Sequence, residues 1–150
     1  MAGQDQAIEL LRRRYARHDF RYVCAEDVTA PGHRVADFLA IDTGHPGEII
    51  GHEIVNSRRD WIVEMCNVGN SAFWRGFCHE WIVVAADESI VDCDELPDGW
   101  GLMTVMPHGL RLVQPPASIE HPRPVDAVTM SLIRQAAADT PQTATLRRAG

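Results

Sequence analysis

Apolar residues recur at helical spacing from Gln4 to Arg17, with Ala7, Leu10, Leu11 and Tyr15 on one side and arginines between them. This spacing predicts an amphipathic helix. The pattern then changes. Phe20 to Ala25 reads as a short strand, followed by a break at Thr29-Ala30-Pro31-Gly32-His33. Val35 to Ile41 and Glu48 to Asn56 are mostly apolar and read as two strands. The run from Asp42 to Gly47 between them is turn chemistry, rich in Gly, Pro and Asp. Two strands joined by so short a loop make an antiparallel hairpin.

Ser57 has the character of an N-cap, and Asp60 follows in the first turn. A helix is predicted over Arg58 to Cys66, an interruption over Asn67 to Asn70, and a second helix over Ser71 to Cys78. Glu80 to Ala86 is an apolar run bounded by polar residues, the mark of a buried strand. Asp92 to Gly101 reads as a loop. Leu102 to Met106 and Leu110 to Gln114 read as a final hairpin at the sheet edge, turning at Pro107-His108-Gly109. Pro115-Pro116 open a linker that reaches Pro124. Val125 to Ala138 is a weakly amphipathic helix, and Thr140 to Gly150 reads as disordered. This order predicts an α/β fold. Residues 1–117 form the domain, and 118–150 form an extension with a short helix and a flexible tail.

A chain of 150 residues, 45% of them hydrophobic, suits a single domain with a substantial core. No window approaches the roughly 18 consecutive apolar residues of a membrane span, and the N-terminus lacks the apolar run of a signal peptide. The expected compartment is the cytoplasm, with no membrane partner. The cysteines, Cys24, Cys66, Cys78 and Cys93, form no C-x-x-C pair and read as free, buried thiols.

The formal net charge of −7 counts against strong non-specific nucleic-acid binding. The charge is uneven, however. Arg12, Arg13, Arg14, Arg17 and Arg21 crowd one segment, and Arg58, Arg59 and Arg75 follow, so a local basic face is compatible with the acidic total. All 14 basic residues are arginine. Arginine stays protonated in proteins, so no lysine-based proton shuttle operates here.

Two residues break the apolar strands: Asp37 in the first and Glu53 in the second. A carboxylate in such a strand is costly unless it is paired or binds a metal. Neighbouring antiparallel strands can bring both to one face, where a hard divalent cation, Mg²⁺ or Mn²⁺, would resolve their repulsion. The competing reading is that each acid pairs with an arginine or lies on an exposed edge. His33, His52 and His79 are candidates for a softer metal, although His52 alternates with Glu53 and faces away from it. Trp61, Trp74, Trp81 and Trp100 lie among apolar residues and read as core rather than as base-stacking platforms. The chain has no G-x-S-x-G elbow, P-loop or dinucleotide fingerprint.

The blocks Arg34-Val-Ala-Asp37, Gly51-His-Glu53-Ile-Val-Asn-Ser57-Arg-Arg-Asp60-Trp61, Phe77-Cys-His-Glu-Trp-Ile-Val-Val-Ala85 and Glu95-Leu-Pro-Asp-Gly-Trp100-Gly-Leu102 occur in that order. Together they resemble a group of small bacterial and phage nuclease-like proteins of the PD-(D/E)XK superfamily, over about residues 5 to 117. The resemblance implies a restriction-endonuclease-like α/β core, with a central mixed β-sheet of four or so strands flanked by helices. It implies metal-dependent phosphodiester cleavage in DNA repair or phage DNA processing. Asp37 and Glu53 would hold Mg²⁺ or Mn²⁺, with Glu9 of the first helix as a further carboxylate. Arg58 or Arg59 would steady the charge on the phosphate. DNA is the implied partner, and no small-molecule cofactor is called for.

The chain departs from the family at Val55, where the motif lysine would stand, and at Asn70, where the group tends to carry a lysine. Two readings therefore stand. One is a nuclease weakened by the missing lysine. The other is a catalytically inactive module of the same fold that binds DNA or a protein partner.

Overall fold

The computed structural model describes residues 2–17, 21–44, 48–67, 69–120 and 122–142. Their elements run α1 (Ala2–Ala16), β1 (Tyr22–Ala30), β2 (Arg34–Asp42), β3 (Glu48–Val55), α2 (Arg58–Cys66), α3 (Gly69–Arg75), β4 (Glu80–Ala85), β5 (Gly101–Met106), β6 (Gly109–Gln114) and α4 (Ala127–Asp139). The six strands form a single sheet in chain order. β1–β2, β2–β3 and β5–β6 are antiparallel, while β3–β4 and β4–β5 are parallel. α2 and α3 supply the crossover that a parallel β3–β4 pair needs. The chain is thus α/β with a central mixed sheet flanked by helices. The sheet has six strands, more than the four or so the resemblance implied.

The helices divide between the two faces. α1 buries Ala7, Leu11 and Tyr15 against Cys24, Phe38, Ala40, Ile54, Ile82, Val84 and Met103. Trp61 of α2, Trp74 of α3 and Ile133 of α4 pack on the other face, with Leu39, Ile49, Val55, Trp81, Val83 and Leu102. All four tryptophans are buried, as the pattern predicts. Gly51 makes one of these contacts feasible: a Cβ there would lie 2.4 Å from the Trp81 ring.

Several boundaries differ from expectation. β1 is longer than the predicted short strand and runs through Thr29 and Ala30, so the turn begins only at Pro31. The expected start at Phe20 lies outside the described residues. α3 begins at Gly69 and ends before Cys78, earlier than its predicted span at both ends. Cys24 and Cys78 are buried, but Cys66 and Cys93 are exposed, which corrects the expectation that all four thiols are buried. α4, the helix of the expected extension, packs on β1 through Ile133. Thr140 and Gln142, expected to be disordered, bond the free edge of β1. Cys24 N donates to Gln142 Oε1 at 2.9 Å, Gln142 Nε2 donates to Cys24 O at 2.7 Å, and Glu26 N donates to Thr140 Oγ1 at 3.1 Å. These side chains satisfy backbone groups that an edge strand otherwise leaves open. Residues 143–150 lie outside the described part. No helix among the described residues is long and apolar enough to cross a membrane.

Candidate functional site

The β2–β3 register ends at the pair Phe38–His52. One step further along that register, Asp37 stands opposite Glu53. Side chains alternate along a strand, so both face away from Phe38 and His52, toward α2 and α3. Ile54 N donates to Asp37 Oδ2 at 2.7 Å and fixes that carboxyl. Glu53 Oε2 is buried without a hydrogen-bond partner.

Two further acids join the pair. Glu64 of α2 acts electrostatically on both carboxyls and meets the Glu53 carboxyl at hydrogen-bonding range. Ser71 Oγ, at the start of α3, donates to Glu64 Oε1. On the other side, Asp27 faces Asp37 between the β1–β2 pairs Glu26–Phe38 and Val28–Ala36. Asp27 is exposed and has a left-handed backbone with φ of 50°, a conformation that aspartate tolerates better than most residues. A row of acids therefore crosses three strands, Asp27, Asp37 and Glu53, with Glu64 beside it.

The electrostatics follow from this crowding. Burial is the first cause raising Glu53 above the ordinary carboxyl range; the neighbouring Asp37 and Glu64 raise it further. Burial likewise raises Asp37. The Ile54 N–H opposes that rise, while Asp27 and Glu64 add to it. A hydrogen bond between two carboxyls requires a proton, and a bound cation can do the same work of cancelling repulsion.

The residues fit a hard divalent cation in kind. All donors are oxygens, and one of them is buried with no partner. Among the described residues, however, no three His, Cys, Asp or Glu side chains are grouped so as to hold a metal ion. The form that fits is therefore a site of two protein carboxylates completed by water, the usual manner of Mg²⁺.

The remaining candidates are placed as follows. Arg58 grips Glu95 bidentately, at 2.5 and 2.6 Å, and donates to Ile90 O at 3.0 Å. Arg59 is exposed and forms no ion pair among the described residues. Ser57 caps α2 by accepting from Asp60 N at 3.1 Å. Val55 is 2% exposed and belongs to the core beside Trp61 and Ala85.

Asn70, where the resembling group tends to carry lysine, clamps the start of β2. Its Oδ1 accepts from Val35 N at 2.7 Å and its Nδ2 donates to Val35 O at 3.0 Å. Glu9 lies on α1, which packs on the opposite face, and it pairs with Arg12 and Arg13.

None of the three histidines joins the carboxylates. His52 is wholly buried on the α1 face. Tyr15 OH donates to its Nε2 at 2.8 Å, and its Nδ1 donates to Phe38 O at 3.2 Å. Burial lowers it to about 3, so it is a neutral core residue. His79 accepts from Ile49 N at 3.4 Å, at the end of β3 remote from Glu53, and His33 sits in the β1–β2 turn.

Sequence reasoning missed Glu64, Ser71 and Asp27. The signal for Glu64 was present in its spacing from Trp61, which puts both on the inward side of α2.

No family model matches the chain, and no curated protein matches it. Among solved structures, it is similar to the SPO1766 protein of unknown function from Silicibacter pomeroyi. The TM-score is 0.62 at 19% identity, covering 94% of this chain and 84% of that one. At this identity the likeness speaks to the fold alone.

Proposed function

We propose that this chain is a metal-dependent deoxyribonuclease-like protein of the PD-(D/E)XK superfamily, built on a restriction-endonuclease-like core and acting in DNA repair or phage DNA processing. The observation that carries this reading is the opposition of Asp37 and Glu53 across β2 and β3, with Glu53 Oε2 buried and unpartnered. The resembling blocks support it by their positions: Arg34 to Asp37 lie on β2, Gly51 to Glu53 on β3, and Ser57 to Trp61 open α2.

Asp37 and Glu53 hold the cation, Mg²⁺ or Mn²⁺. The Ile54 N–H keeps Asp37 in place for that task. Such a cation activates water and offsets the charge that builds on a phosphodiester. Glu64, held by Ser71, adds negative charge that strengthens cation binding. Arg59, uncommitted to any acid among the described residues, is the arginine available to a DNA phosphate. Arg58 becomes available only when it leaves Glu95. The compartment we assign is the cytoplasm, where the exposed Cys66 and Cys93 stay reduced.

One observation favours a second reading, a non-cleaving DNA-binding or protein-interaction module. The place of the family lysine is filled by the buried, uncharged Val55, and the chain has no lysine elsewhere. The two readings separate when the purified protein is incubated with single- and double-stranded DNA in Mg²⁺ and in Mn²⁺, beside the Asp37→Ala, Glu53→Ala and Val55→Lys variants. Cleavage that both alanine variants abolish supports the nuclease. Cleavage by Val55→Lys alone supports an intact cation site on a disarmed enzyme. No cleavage by any variant removes the nuclease reading.

A further inference from the structure

The α1 face of the sheet, opposite the carboxylates, carries two adjoining cavities. The smaller, of about 100 Å³, lies between the C-terminal half of α1 and the β5–β6 turn, and Arg13, Arg14, Arg17 and His108 line it. The larger, of about 410 Å³, has Tyr22, Glu80, Ile82, Leu112 and Pro115 among its walls. Arg14 lines both.

Arg13 and Arg14 lie in the last turn of α1 and Arg17 directly follows it, which brings like charges close enough to repel. Arg12, Arg13, Arg21 and Arg58 each have a carboxylate partner, but Arg14 and Arg17 form no ion pair among the described residues. Glu80 attracts Arg14 electrostatically across the larger cavity, but among the described residues no acid lies within ion-pair distance of Arg14 or Arg17. An anion between them would offset the repulsion, and arginine donors suit phosphate oxygens. His108 adds a donor from the facing turn.

The small cavity has room for a phosphate and little more. The larger one falls within the usual range for organic ligands. Its walls are apolar at Ile82, Leu112 and Pro115 and aromatic at Tyr22, with one acidic acceptor at Glu80. A phosphorylated acyl chain has nothing to offer Glu80, and a sugar phosphate has little to offer the apolar walls. A flat heterocycle bearing an N–H donor suits both.

We propose that the α1 face binds a nucleotide, with its phosphate among Arg13, Arg14, Arg17 and His108 and its base in the adjoining cavity, donating to Glu80. This site stands apart from the carboxylate cluster and does not rest on the nuclease reading. The nucleotide is either free or the terminal residue of a single strand, and the two share this chemistry.

The test is calorimetric titration of the full chain in EDTA with four probes: deoxyadenosine 5′-monophosphate, deoxyadenosine, inorganic phosphate and a 5′-phosphorylated oligodeoxyadenylate. The mononucleotide is expected to bind at least about tenfold more tightly than phosphate or nucleoside alone, because both cavities then contribute. The double variant Arg14→Gln/Arg17→Gln is expected to lose at least about tenfold, while Arg134→Gln on α4 is unchanged. Leu112→Trp is expected to weaken the mononucleotide and spare phosphate.

Equal affinity for phosphate and mononucleotide overturns the proposal, as does undiminished binding by the double arginine variant. Oligonucleotide binding as tight as that of the mononucleotide supports a strand end as the ligand, and binding of the mononucleotide alone supports a free nucleotide. Binding retained by Glu53→Gln, alongside absent DNA cleavage, upholds the site while the nuclease reading falls.

Discussion

Asp37 and Glu53 face each other across β2 and β3, one step beyond the Phe38–His52 pair. The same step that turns His52 into the α1 core turns Glu53 toward α2. Burial first, and then neighbouring acids (Asp27 and Glu64 for Asp37, Asp37 and Glu64 for Glu53), raise both carboxyls above their ordinary range. A raised folded-state pKa means that the folded chain binds more protons than the unfolded one. Its contribution to stability is present below the unfolded value and lost as pH rises through the folded value. Without added metal, the native protein is therefore expected to lose stability as pH rises above the ordinary carboxyl range. Glu53→Gln removes much of that dependence. At pH 8 the variant is expected to be more stable than the native chain by at least about 1.4 kcal/mol, the equivalent of a tenfold change in proton affinity. Urea titrations of both proteins at pH 5 and pH 8 check this; parallel pH profiles would show that Glu53 is not under strain.

Glu95 is displaced in the opposite sense. The Arg58 guanidinium lowers it to about 2. Its contribution to stability is present above the unfolded value and lost only as pH falls through about 2. In Arg58→Ala, the Glu95 carboxyl carbon is expected to titrate well above that value, toward the ordinary figure of about 4.3, as measured by ¹³C NMR; the Asp92 N–H still holds it somewhat low. An unmoved titration would mean that the bidentate pair does not persist in solution.

The closure of the β1 edge by polar residues gives a third expectation. Gln142→Ala removes hydrogen bonds to both Cys24 N and Cys24 O. The cost is expected to be about 1–2 kcal/mol, and the reopened edge should promote self-association at high concentration. Urea denaturation together with size-exclusion chromatography reads both effects.

Much of the fold was legible in the sequence where burial imposes a clear period. β2, β3, α2, β4 and the β5–β6 hairpin lie within a residue or two of their predicted spans, because each carries an apolar face or run. β1 was read short because Glu26, Asp27 and Thr29 interrupt its apolar pattern; on an edge strand such residues remain wet or, like Glu26, pair with a helix arginine. Thr140 to Gln142 look like a solvated tail, and only the neighbouring edge gives them a role. In the site, Asp37 and Glu53 stood out as charges within apolar strands. Glu64 was hidden because α2 has an inverted surface: Ile62 and Val63 are 50% and 58% exposed, while Glu64 turns inward beneath Ser71. Its three-residue spacing from the buried Trp61 was the pointer inward, and the aliphatic residues on the outside of α2 masked it.

Gly51 provides a check on the packing beside Glu53. A methyl group at that position would lie 2.4 Å from the Trp81 ring, and Trp81 in turn packs edge-on against Trp100. Gly51→Ala is expected to cost about 1–3 kcal/mol through overpacking and to shift tryptophan fluorescence. A neutral substitution would show that the Trp81 ring moves freely aside.

The central claim is that Asp37 and Glu53 form a cation site, and direct measurement of Mn²⁺ binding by electron paramagnetic resonance tests it most closely. The native chain is expected to take up a single Mn²⁺. Asp37→Asn and Glu53→Gln should each weaken binding by at least about tenfold, and Glu64→Gln by less. No uptake by the native chain, or equal uptake by all four proteins, would contradict the claim.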